Sequence, residues 1–333
     1  MAKKMKFDYP YFEDFGGSTK KILRHVIPEQ PVWSATNPSI GYCPKQGYAM
    51  TLRSSNYKIN PQYGTLDLTI GDKVRAYVWF SELNEQLVPI NLRQIDLKDS
   101  NGPEIHRGIE DARLFSRDGQ WYFTGVMLEN HTPRARLVLY KLDTEKNKAE
   151  FIRKYDSWET ERVEKNWMLP ALEDNPNFDF VYTGDGIYKN GKFILDPVLN
   201  DDIASMRGGS CLWPLDDGSY IAVTHCMYAR PVQFYDKNRF GNVTSAIRNY
   251  THQFVRFSNT GKVLEMSDEF IFDHPGIEFA AGLVEKNGYF IISYGNEDIA
   301  ACLATIPKQT ALNLLHPVRD EEPELEEAES FDI

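Results

Sequence analysis

A short unit repeats along most of the chain and limits the possible folds more than any other feature. In each copy a polar signature opens a strand, a turn with Gly follows, and an aromatic-rich strand returns. The copies begin at Asn37, Gly108, Lys165, Arg207 and Gly276, at intervals of 71, 57, 42 and 69 residues. Such intervals fit four-stranded propeller blades with outer loops of different length. The repeat therefore predicts five blades that close into a ring.

Local sequence supports this architecture, because the returning segments are rich in β-branched and aromatic residues. Several of them follow a hairpin-type turn, such as Asp118-Gly119 or Asn287-Gly288. The predicted strands include Gln120 to Met127, Phe178 to Asp185, Ser219 to Cys226, Thr251 to Ser258 and Gly288 to Gly295. We predict an all-β, five-bladed β-propeller with a short C-terminal helix near 308–315 and an acidic tail. The alternative is a β-sandwich built from similar hairpins.

The predicted domain organisation follows from the limits of the repeat. Residues 1–34 form an N-terminal extension that can complete the last blade, residues 35–306 form the propeller, and residues 307–333 form the short helix and tail. The last fourteen residues hold eight of the 48 acids and no Lys or Arg, so the rest of the chain has a net charge of only −3. A near-neutral body argues against a nucleic-acid partner, since phosphate binding needs clustered Lys and Arg.

Other global features exclude further classes of protein. No apolar run approaches the eighteen or so residues needed to cross a bilayer, so no membrane partner is expected. The four widely separated cysteines are predicted to be reduced, buried thiols, and we expect a cytoplasmic protein. The His residues show no pairing at metal-ligand spacing, so no metal site is predicted. The oligomeric state is left open.

The polar signatures carry the functional prediction. In a propeller the first strand of each blade lines the central channel, so the residues that open each unit converge at one mouth of it. These residues are Asn37, Glu110, Asp111, Arg113, Lys165, Asn166, Arg207 and Glu278. The sequence therefore predicts a candidate site that is assembled from all five units.

The segment GIEDAR is the most informative of these signatures. Glu110 and Asp111 are adjacent on a strand, so only one of them is expected to face the channel. A channel carboxylate between apolar walls can act as a general acid on a glycosidic oxygen. Arg113 is expected to share a face with Asp111, where it keeps that carboxylate ionised or binds an anion. The structural alternative is an Asp–Arg pair that closes a blade.

The third and fourth units add cations. Lys165 supplies a compact positive charge for phosphate or a sugar hydroxyl, beside Asn166, which can donate to and accept from a sugar. Trp167 is expected in the core. The string RGGS lets the backbone approach a ligand, with Arg207 as an anion contact, although Gly pairs also mark bulges. His225 ends the next strand; a structural hydrogen-bonding role competes there with a place in the channel.

The fifth unit adds acids. Glu278 is expected to be a second channel carboxylate, and Asp298, at a strand exit after Tyr294, is a third, unless it only forms a turn. A pair of carboxylates is what glycoside hydrolysis requires, and their separation would distinguish inverting from retaining chemistry.

Taken in order, NPSI, GIEDARLF, EKNWMLP, RGGS with His225, and GIEFAAGL with ISYGNED resemble the five-bladed propeller family related to glycoside hydrolase family 130. This family contains β-mannoside phosphorylases and related mannosyltransferases. The resemblance covers about residues 35 to 305. It implies that Asp111 is the general acid, that Arg113 contacts substrate or phosphate, and that Lys165 and Asn166 bind the anion or sugar. By the same resemblance, Arg53 matches a family Arg and His225 the phosphate-side His. Arg53, Arg113, Lys165, Arg207 and His225 are therefore expected to hold phosphate or another anion. Ala112 and Glu164 depart from the family's usual Pro and Asp.

The resulting expectation is an inverting, metal-independent enzyme that transfers or phosphorolyses a mannoside-like glycosidic bond. Its substrate would be a carbohydrate, with no cofactor and with inorganic phosphate or a sugar phosphate as co-substrate. Phosphorolysis needs one essential acid and a group of cations, whereas hydrolysis needs Glu278 or Asp298 as a base. The alternatives are a glycoside hydrolase of the same fold and a propeller without catalysis that binds a glycan or acts as a scaffold. Asn37, Glu110, Tyr294 and Asp298 complete the predicted substrate contacts.

Overall fold

The structure is a computed structural model that describes residues 9–23, 34–60, 62–63, 65–68, 73–98, 107–128, 135–155, 165–182, 186–195, 203, 205–236 and 241–318. The acidic tail and Glu164 lie outside these described residues. The predicted five-bladed β-propeller with a short helix near the C-terminus is confirmed.

The first described segment packs against the propeller. A 3-10 helix at Phe12–Phe15 precedes strand β1 (Ser18–Leu23). The ring of Phe12 is buried against Phe254, Phe270 and Phe272. This aromatic contact fixes the N-terminal segment against the propeller.

The first two blades are complete antiparallel sheets, with their innermost strand first. Blade 1 pairs in the order β2, β3, β6, β7, and a small hairpin of β4 and β5 precedes β6; blade 2 pairs in the order β8 to β11. The strands are β2 (Ser34–Cys43), β3 (Gly47–Ser55), β4 (Tyr57–Ile59), β5 (Leu66–Leu68), β6 (Ala76–Leu83), β7 (Pro89–Gln94), β8 (Ile109–Arg117), β9 (Gln120–Leu128), β10 (Ala135–Asp143) and β11 (Lys148–Lys154).

Blades 3 and 4 differ from this pattern. In blade 3 the segment 165–170 lies innermost and pairs with β12 through Met168 and Val181. Blade 4 contains two strands of 17 residues, β17 and β18, which extend far beyond the other strands of the sheet. The strands are β12 (Phe180–Tyr182), β13 (Gly186–Lys189), β14 (Lys192–Leu195), β15 (Arg207–Gly208), β16 (Trp213–Pro214), β17 (Tyr220–Asp236), β18 (Gly241–Phe257) and β19 (Val263–Met266).

Blade 5 closes the ring. Strands β20 (Glu278–Lys286), β21 (Tyr289–Asn296) and β22 (Ala300–Pro307) are completed by β1, which pairs with β22. Helix α1 (Lys308–Asn313) follows, and β23 (His316–Pro317) then pairs with β19 in blade 4. Because the first and last parts of the chain share one sheet, the ring has no open seam at which another sheet could add.

The cores lie between neighbouring blades. Between blades 1 and 2, for example, Phe80 and Trp121 pack edge to face, and Phe123 stacks on Tyr140. Trp167 is buried with Phe180 and Tyr188, as its predicted core position requires. All four cysteines are buried, as predicted, and none of them forms a disulfide. Among the described residues, no helix is long and apolar enough to cross a membrane.

The main difference from the predicted strands lies in blade 4. The sequence predicts a strand that ends at Cys226 and another that begins at Thr251, but β17 continues to Asp236 and β18 begins at Gly241. The intervening residues include Pro231 and many polar side chains, which are typical of a loop. They form strands because the two extensions pair with each other along their whole length.

Candidate functional site

Backbone irregularities position the side chains at the channel mouth. Asn37, Asp111 and Asn166 have positive φ angles of 44°, 51° and 66°. The strand register shifts beside the first two, between Thr36 and Ser39 and between Glu110 and Arg113. Non-glycine residues in this region cost about 1–3 kcal/mol each and are concentrated at functional sites. Asn and Asp tolerate the left-handed region best, which explains their presence at these three positions.

The bulge in β8 changes the expected orientation of the two adjacent carboxylates. Regular alternation would send Glu110 and Asp111 to opposite faces, yet both approach the guanidinium of Arg53. Nη1 of Arg53 is 3.4 Å from Oδ1 of Asp111 and 3.9 Å from Oε2 of Glu110. The expectation that only one carboxylate faces the channel is therefore wrong. It assumed that side chains alternate between the two faces of the strand, and the left-handed backbone at Asp111 interrupts this alternation.

A third carboxylate completes this acidic group. Nη2 of Arg53 donates to Oδ1 of Asp298 at 3.0 Å, and Nδ2 of Asn37 donates to Oδ1 of Asp111 at 2.8 Å. Arg53 is 4% exposed, and Asp111 and Asp298 are 15% and 14% exposed. Three acids thus surround the buried Arg53. Arg53 belongs to blade 1, Glu110 and Asp111 belong to blade 2, and Asp298 belongs to blade 5. Arg53, expected as an anion ligand, is instead occupied by protein carboxylates.

The three acids differ in their protonation behaviour. Burial raises the pKa of Asp111, but the charges of Arg53 and Arg113 and the hydrogen bond from Asn37 outweigh it, and the pKa lies below its usual value. Burial raises the pKa of Glu110 and of Asp298, and Arg53 offsets this only in part. Asp111 is therefore the member of the group that is most readily ionised at neutral pH.

Cations without carboxylate partners lie on the other side of the mouth. Lys165 and Arg207 are exposed, and neither forms an ion pair with a residue that the structure describes. The charge of Lys165 nevertheless acts on the carboxyls of Glu110 and Asp111, and both cations act on His225. Lys165 thus lies near the acidic group, and Lys165 and Arg207 both lie near His225.

His225 faces this cationic side. It is buried in β17 opposite Arg207, and its Nδ1 has no hydrogen-bond partner among the described residues. Burial, with the neighbouring His252, Arg207 and Arg113, holds the pKa of His225 well below its usual value. A neutral imidazole with a free nitrogen can donate to or accept from a ligand.

Tyr250 is a site residue that the sequence did not reveal. Its ring stacks on His225, with centroids 5.1 Å apart and an interplanar angle of 23°. Burial raises the pKa of its hydroxyl; the charge of Arg248 lowers it and that of Asp298 raises it. The charges of Asp111 and Arg207 act on the same hydroxyl, so Tyr250 lies near both of them. Its position in sequence, two residues before His252 in β18, is the one signal that could have indicated it.

Arg113 supports the site from beneath. It is fully buried, donates from Nε to the carbonyl of Gly209 at 2.6 Å, and lies 5.5 Å from the ring centre of Phe279. Its Nη2 is 3.5 Å from Oδ1 of Asn166. Arg113 thereby links blades 2, 3 and 4. These contacts hold the mouth together, and the charge of Arg113 lowers the pKa of Asp111. Its Nη1 has no hydrogen-bond partner among the described residues, so the expected contact with the ligand stays a prediction.

Two predicted contacts are not brought to the site. Glu278 is fully buried and accepts backbone N–H bonds from Phe272, Asp273 and His274 at 2.7, 2.8 and 3.2 Å. Tyr294 is buried and stacks on Phe272 with centroids 4.3 Å apart. Both face the core of blade 5, because the loop before β20 folds back over them. They are structural residues rather than channel ligands.

Solved structures of known proteins share this architecture, whereas no family model matches the sequence and no curated protein matches it significantly. A β-1,2-mannobiose phosphorylase from Listeria innocua, in complex with β-1,2-mannobiose, is 14% identical with a TM-score of 0.53. The match covers 92% of this chain and 98% of that one. MPT-4, a mannose phosphorylase from Leishmania mexicana in complex with phosphate, is 11% identical with a TM-score of 0.51, and the match covers 89% of each chain.

A third structure comes from work describing glycoside hydrolases of family 130 that target β-1,2 mannosidic linkages in Candida mannan. It is 12% identical, with a TM-score of 0.54 and coverage of 83% and 85%. This chain has the five-bladed fold of the family 130 mannoside phosphorylases. The fold that the sequence resemblance implied is thus confirmed. At identities of 11–14%, the likeness to these structures shows the fold alone. The reaction depends on the side chains at the site.

Within the part of the chain that the structure describes, no group of three or more His, Cys, Asp or Glu residues could hold a metal ion.

The structural assignment of Glu278 can be tested directly. Burial raises the pKa of its carboxyl to about 7, and the three backbone donors lower it only in part. We expect Glu278→Gln to reduce the free energy of unfolding by about 1–3 kcal/mol, because the amide cannot accept all three bonds. The ratio kcat/KM, measured well below the melting temperature, should change little. A loss of activity without a loss of stability would instead place Glu278 in contact with substrate.

Proposed function

We propose that the protein is a glycan-active enzyme that makes or breaks a glycosidic bond to mannose or a similar hexose by transfer or phosphorolysis. The observation that carries this proposal is the division of the mouth into two halves. One half holds three carboxylates around Arg53, and the other holds cations that no described carboxylate neutralises. A sugar presents hydroxyls and a phosphate presents negative charge, so the two halves complement the two parts of a sugar phosphate.

The acidic half suits the sugar ring. Carboxylate and amide oxygens accept hydrogen bonds from hydroxyls, and the amide nitrogen of Asn37 is already held by Asp111. Glu110 and Asp298 remain partly accessible beside Arg53 and can accept further hydroxyl bonds. Because these side chains are fixed by one guanidinium, they offer a preorganised set of acceptors.

The cationic half suits a phosphate. Lys165 and Arg207 supply two exposed positive charges, and the free nitrogen of buried His225 supplies a third polar contact. Charge-assisted hydrogen bonds of this kind are about twice as strong as neutral ones. Tyr250, stacked on His225, lies where the phosphate and the sugar would meet.

The proposed mechanism is a single inverting displacement. In the direction of synthesis, ionised Asp111 takes a proton from the acceptor hydroxyl, directly or through a sugar hydroxyl. The acceptor oxygen then bonds to the anomeric carbon while the bond to phosphate breaks, and the phosphate leaves into the cationic half. In the reverse direction, protonated Asp111 returns the proton to the glycosidic oxygen as phosphate attacks. The lowered pKa of Asp111 favours its role as the base of the synthetic direction.

The decisive experiment is an assay of the full chain with mannose 1-phosphate and a panel of free-sugar acceptors, with release of inorganic phosphate and formation of an inverted product as readouts. Nucleotide-mannose is a second donor. Formation of glycoside without phosphate donors, or retention of configuration, would contradict the proposal.

The cationic half can be tested separately. We expect Lys165→Ala and Arg207→Ala each to raise the KM for phosphate or sugar phosphate about 10- to 100-fold, the value of one charge-assisted hydrogen bond. Lys146→Ala, which removes an exposed Lys paired only with Asp143 on blade 2, is the matched control. An unchanged KM in both site variants would show that the anion binds elsewhere.

A hydrolase of the same fold is the second candidate. The observation in its favour is the position of Asp298, a second carboxylate at Arg53. Asp298 binds Nη2 of the guanidinium, whereas Asp111 lies near Nη1. In that case Asp298 would activate water, and release of free sugar would continue in phosphate-free buffer. A propeller that only binds glycans would bind the sugar in the same assay without turnover.

A further inference from the structure

The extension of β17 and β18 forms an arm that leaves the propeller. We define the arm as residues 227–236 and 241–249. The partners of β17 in its own blade reach only from Tyr220 to His225, and β19 pairs only with the other end of β18. Among the described residues, the outer backbone edges of the arm therefore have no partner. Open strand edges of this length are usually blocked or covered.

One of the two edges is blocked by sequence. Pro231 pairs with Ala246 within the arm. Because Pro has no N–H, it is accommodated in a ladder only where its nitrogen points away from the neighbouring strand. Pro231 therefore interrupts the outer edge of β17 at its centre, and a further strand cannot add there without losing hydrogen bonds.

The edge of β18 is open. In an antiparallel pair the residue opposite an outward-facing residue also directs its N–H and C=O outward. Ala246 is therefore outward-facing, and so are Thr244 and Arg248, two residues away on either side. The base of β18 has the same parity, since the N–H of Tyr250 donates to Gly276 and that of His252 to Phe270. At Thr244, Ala246 and Arg248 no described residue takes up these groups.

This edge complements itself. In an antiparallel pairing of two copies around a two-fold axis at Ala246, Ala246 meets Ala246 and each Thr244 lies opposite Arg248. No like charges face each other, and small side chains occupy the centre. A two-fold axis at Arg248 would place two guanidinium groups side by side. Of these two registers the sequence favours the one at Ala246, and a two-fold pairing closes after two copies because the edge of β17 is blocked.

We propose that the Thr244–Arg248 edge of β18 pairs with the same edge of a second copy, so that the protein forms a dimer through its arms. Thr244, Ala246 and Arg248 lie on the face of β18 that also carries Tyr250, which contacts His225 at the mouth. The second copy would therefore stand beside the channel mouth, where it limits the space for an extended acceptor.

Light scattering after size exclusion, over a range of concentrations of the full chain, tests the pairing. The expected result is a dimer that dissociates on dilution. Ala246→Pro removes an outward N–H and should weaken the dimer at least about 10-fold, since the ladder loses its central hydrogen bonds. Ala229→Pro makes the same change at an outward position of β17 and should leave the dimer intact. Melting temperatures of both variants report whether the arm remains folded.

A cross-linking experiment keeps the test independent of Pro. Ala246→Cys should form a disulfide-linked dimer under mild oxidation, because residues that face each other across strands lie within disulfide distance. Ala229→Cys should not, and the four native cysteines are buried. A wild-type chain that is monomeric at every concentration, or a dimer equally sensitive at positions 229 and 246, would overturn the proposal.

Discussion

Replacement of Asp111 by Asn is expected to lower kcat by about 10²- to 10⁴-fold, the usual contribution of a positioned acid or base. The substitution preserves the shape of the side chain and the contact with Asn37, but the amide can neither take nor return the proton. Folding should be maintained, because Arg53 keeps Glu110 and Asp298 as partners and one of three crowded negative charges is removed. The measurement is initial rate with mannose 1-phosphate and acceptor across pH, with thermal melting alongside.

The matched control is Asp174→Asn, which removes an exposed carboxylate paired with Arg117, the last residue of β8. It should leave the rate unchanged. If Asp111→Asn keeps the wild-type rate, the proton is handled elsewhere, and Glu110 or Asp298, whose pKa values burial raises, becomes the candidate. Because the two neighbours remain present in the Asn variant, such a result would separate the mechanism from the binding of sugar.

The repeat was sufficient to predict the fold, and it led to the prediction that the main site residues lie together. The first strands of successive blades line one channel, so Asn37, Asp111, Lys165 and Arg207 could be placed together from their positions in the unit. Periodicity also explains why Trp167 lies in the core. The fold prediction succeeded because it depends on order along the chain and on the closure of the ring.

The remaining details depend on contacts that periodicity does not encode. Glu278 occupies the same place in its unit as Glu110, yet the backbone N–H groups of residues 272–274 bind its carboxylate. Tyr250, on β18, lies beside His225, on β17, only because these two strands pair. The bulge at Asp111 brings Glu110 to Arg53. The sequence indicates this bulge only weakly, through a residue type that tolerates a left-handed backbone.

The second large effect is expected from Arg53→Met, a change that keeps most of the volume of the side chain but removes its charge. Asp111 and Asp298 would then be buried without a cation, and breaking a buried ion pair in this way costs about 3–5 kcal/mol of stability at pH 7. The comparison is Arg256→Met in blade 4. Arg256 also contacts two carboxylates, Asp217 and Glu265, but it lies near the surface, where such pairs contribute about 0–1 kcal/mol.

The sign of the pH dependence distinguishes this explanation from a simple packing defect. In the wild-type protein the lowered pKa of Asp111 stabilises the fold at pH values above the pKa of this carboxyl in the unfolded chain. That stability is lost as pH falls through the pKa of the folded state. Without Arg53 the pKa values of Asp111 and Asp298 should both rise, so the variant gains stability relative to the wild type as pH falls from neutral and the acids become protonated. Denaturant unfolding at several pH values should therefore show the difference between the two proteins shrinking towards acid pH. A difference in the free energy of unfolding that does not depend on pH would mean that Arg53 contributes through packing. The backbone bulges alone would then position the three carboxylates.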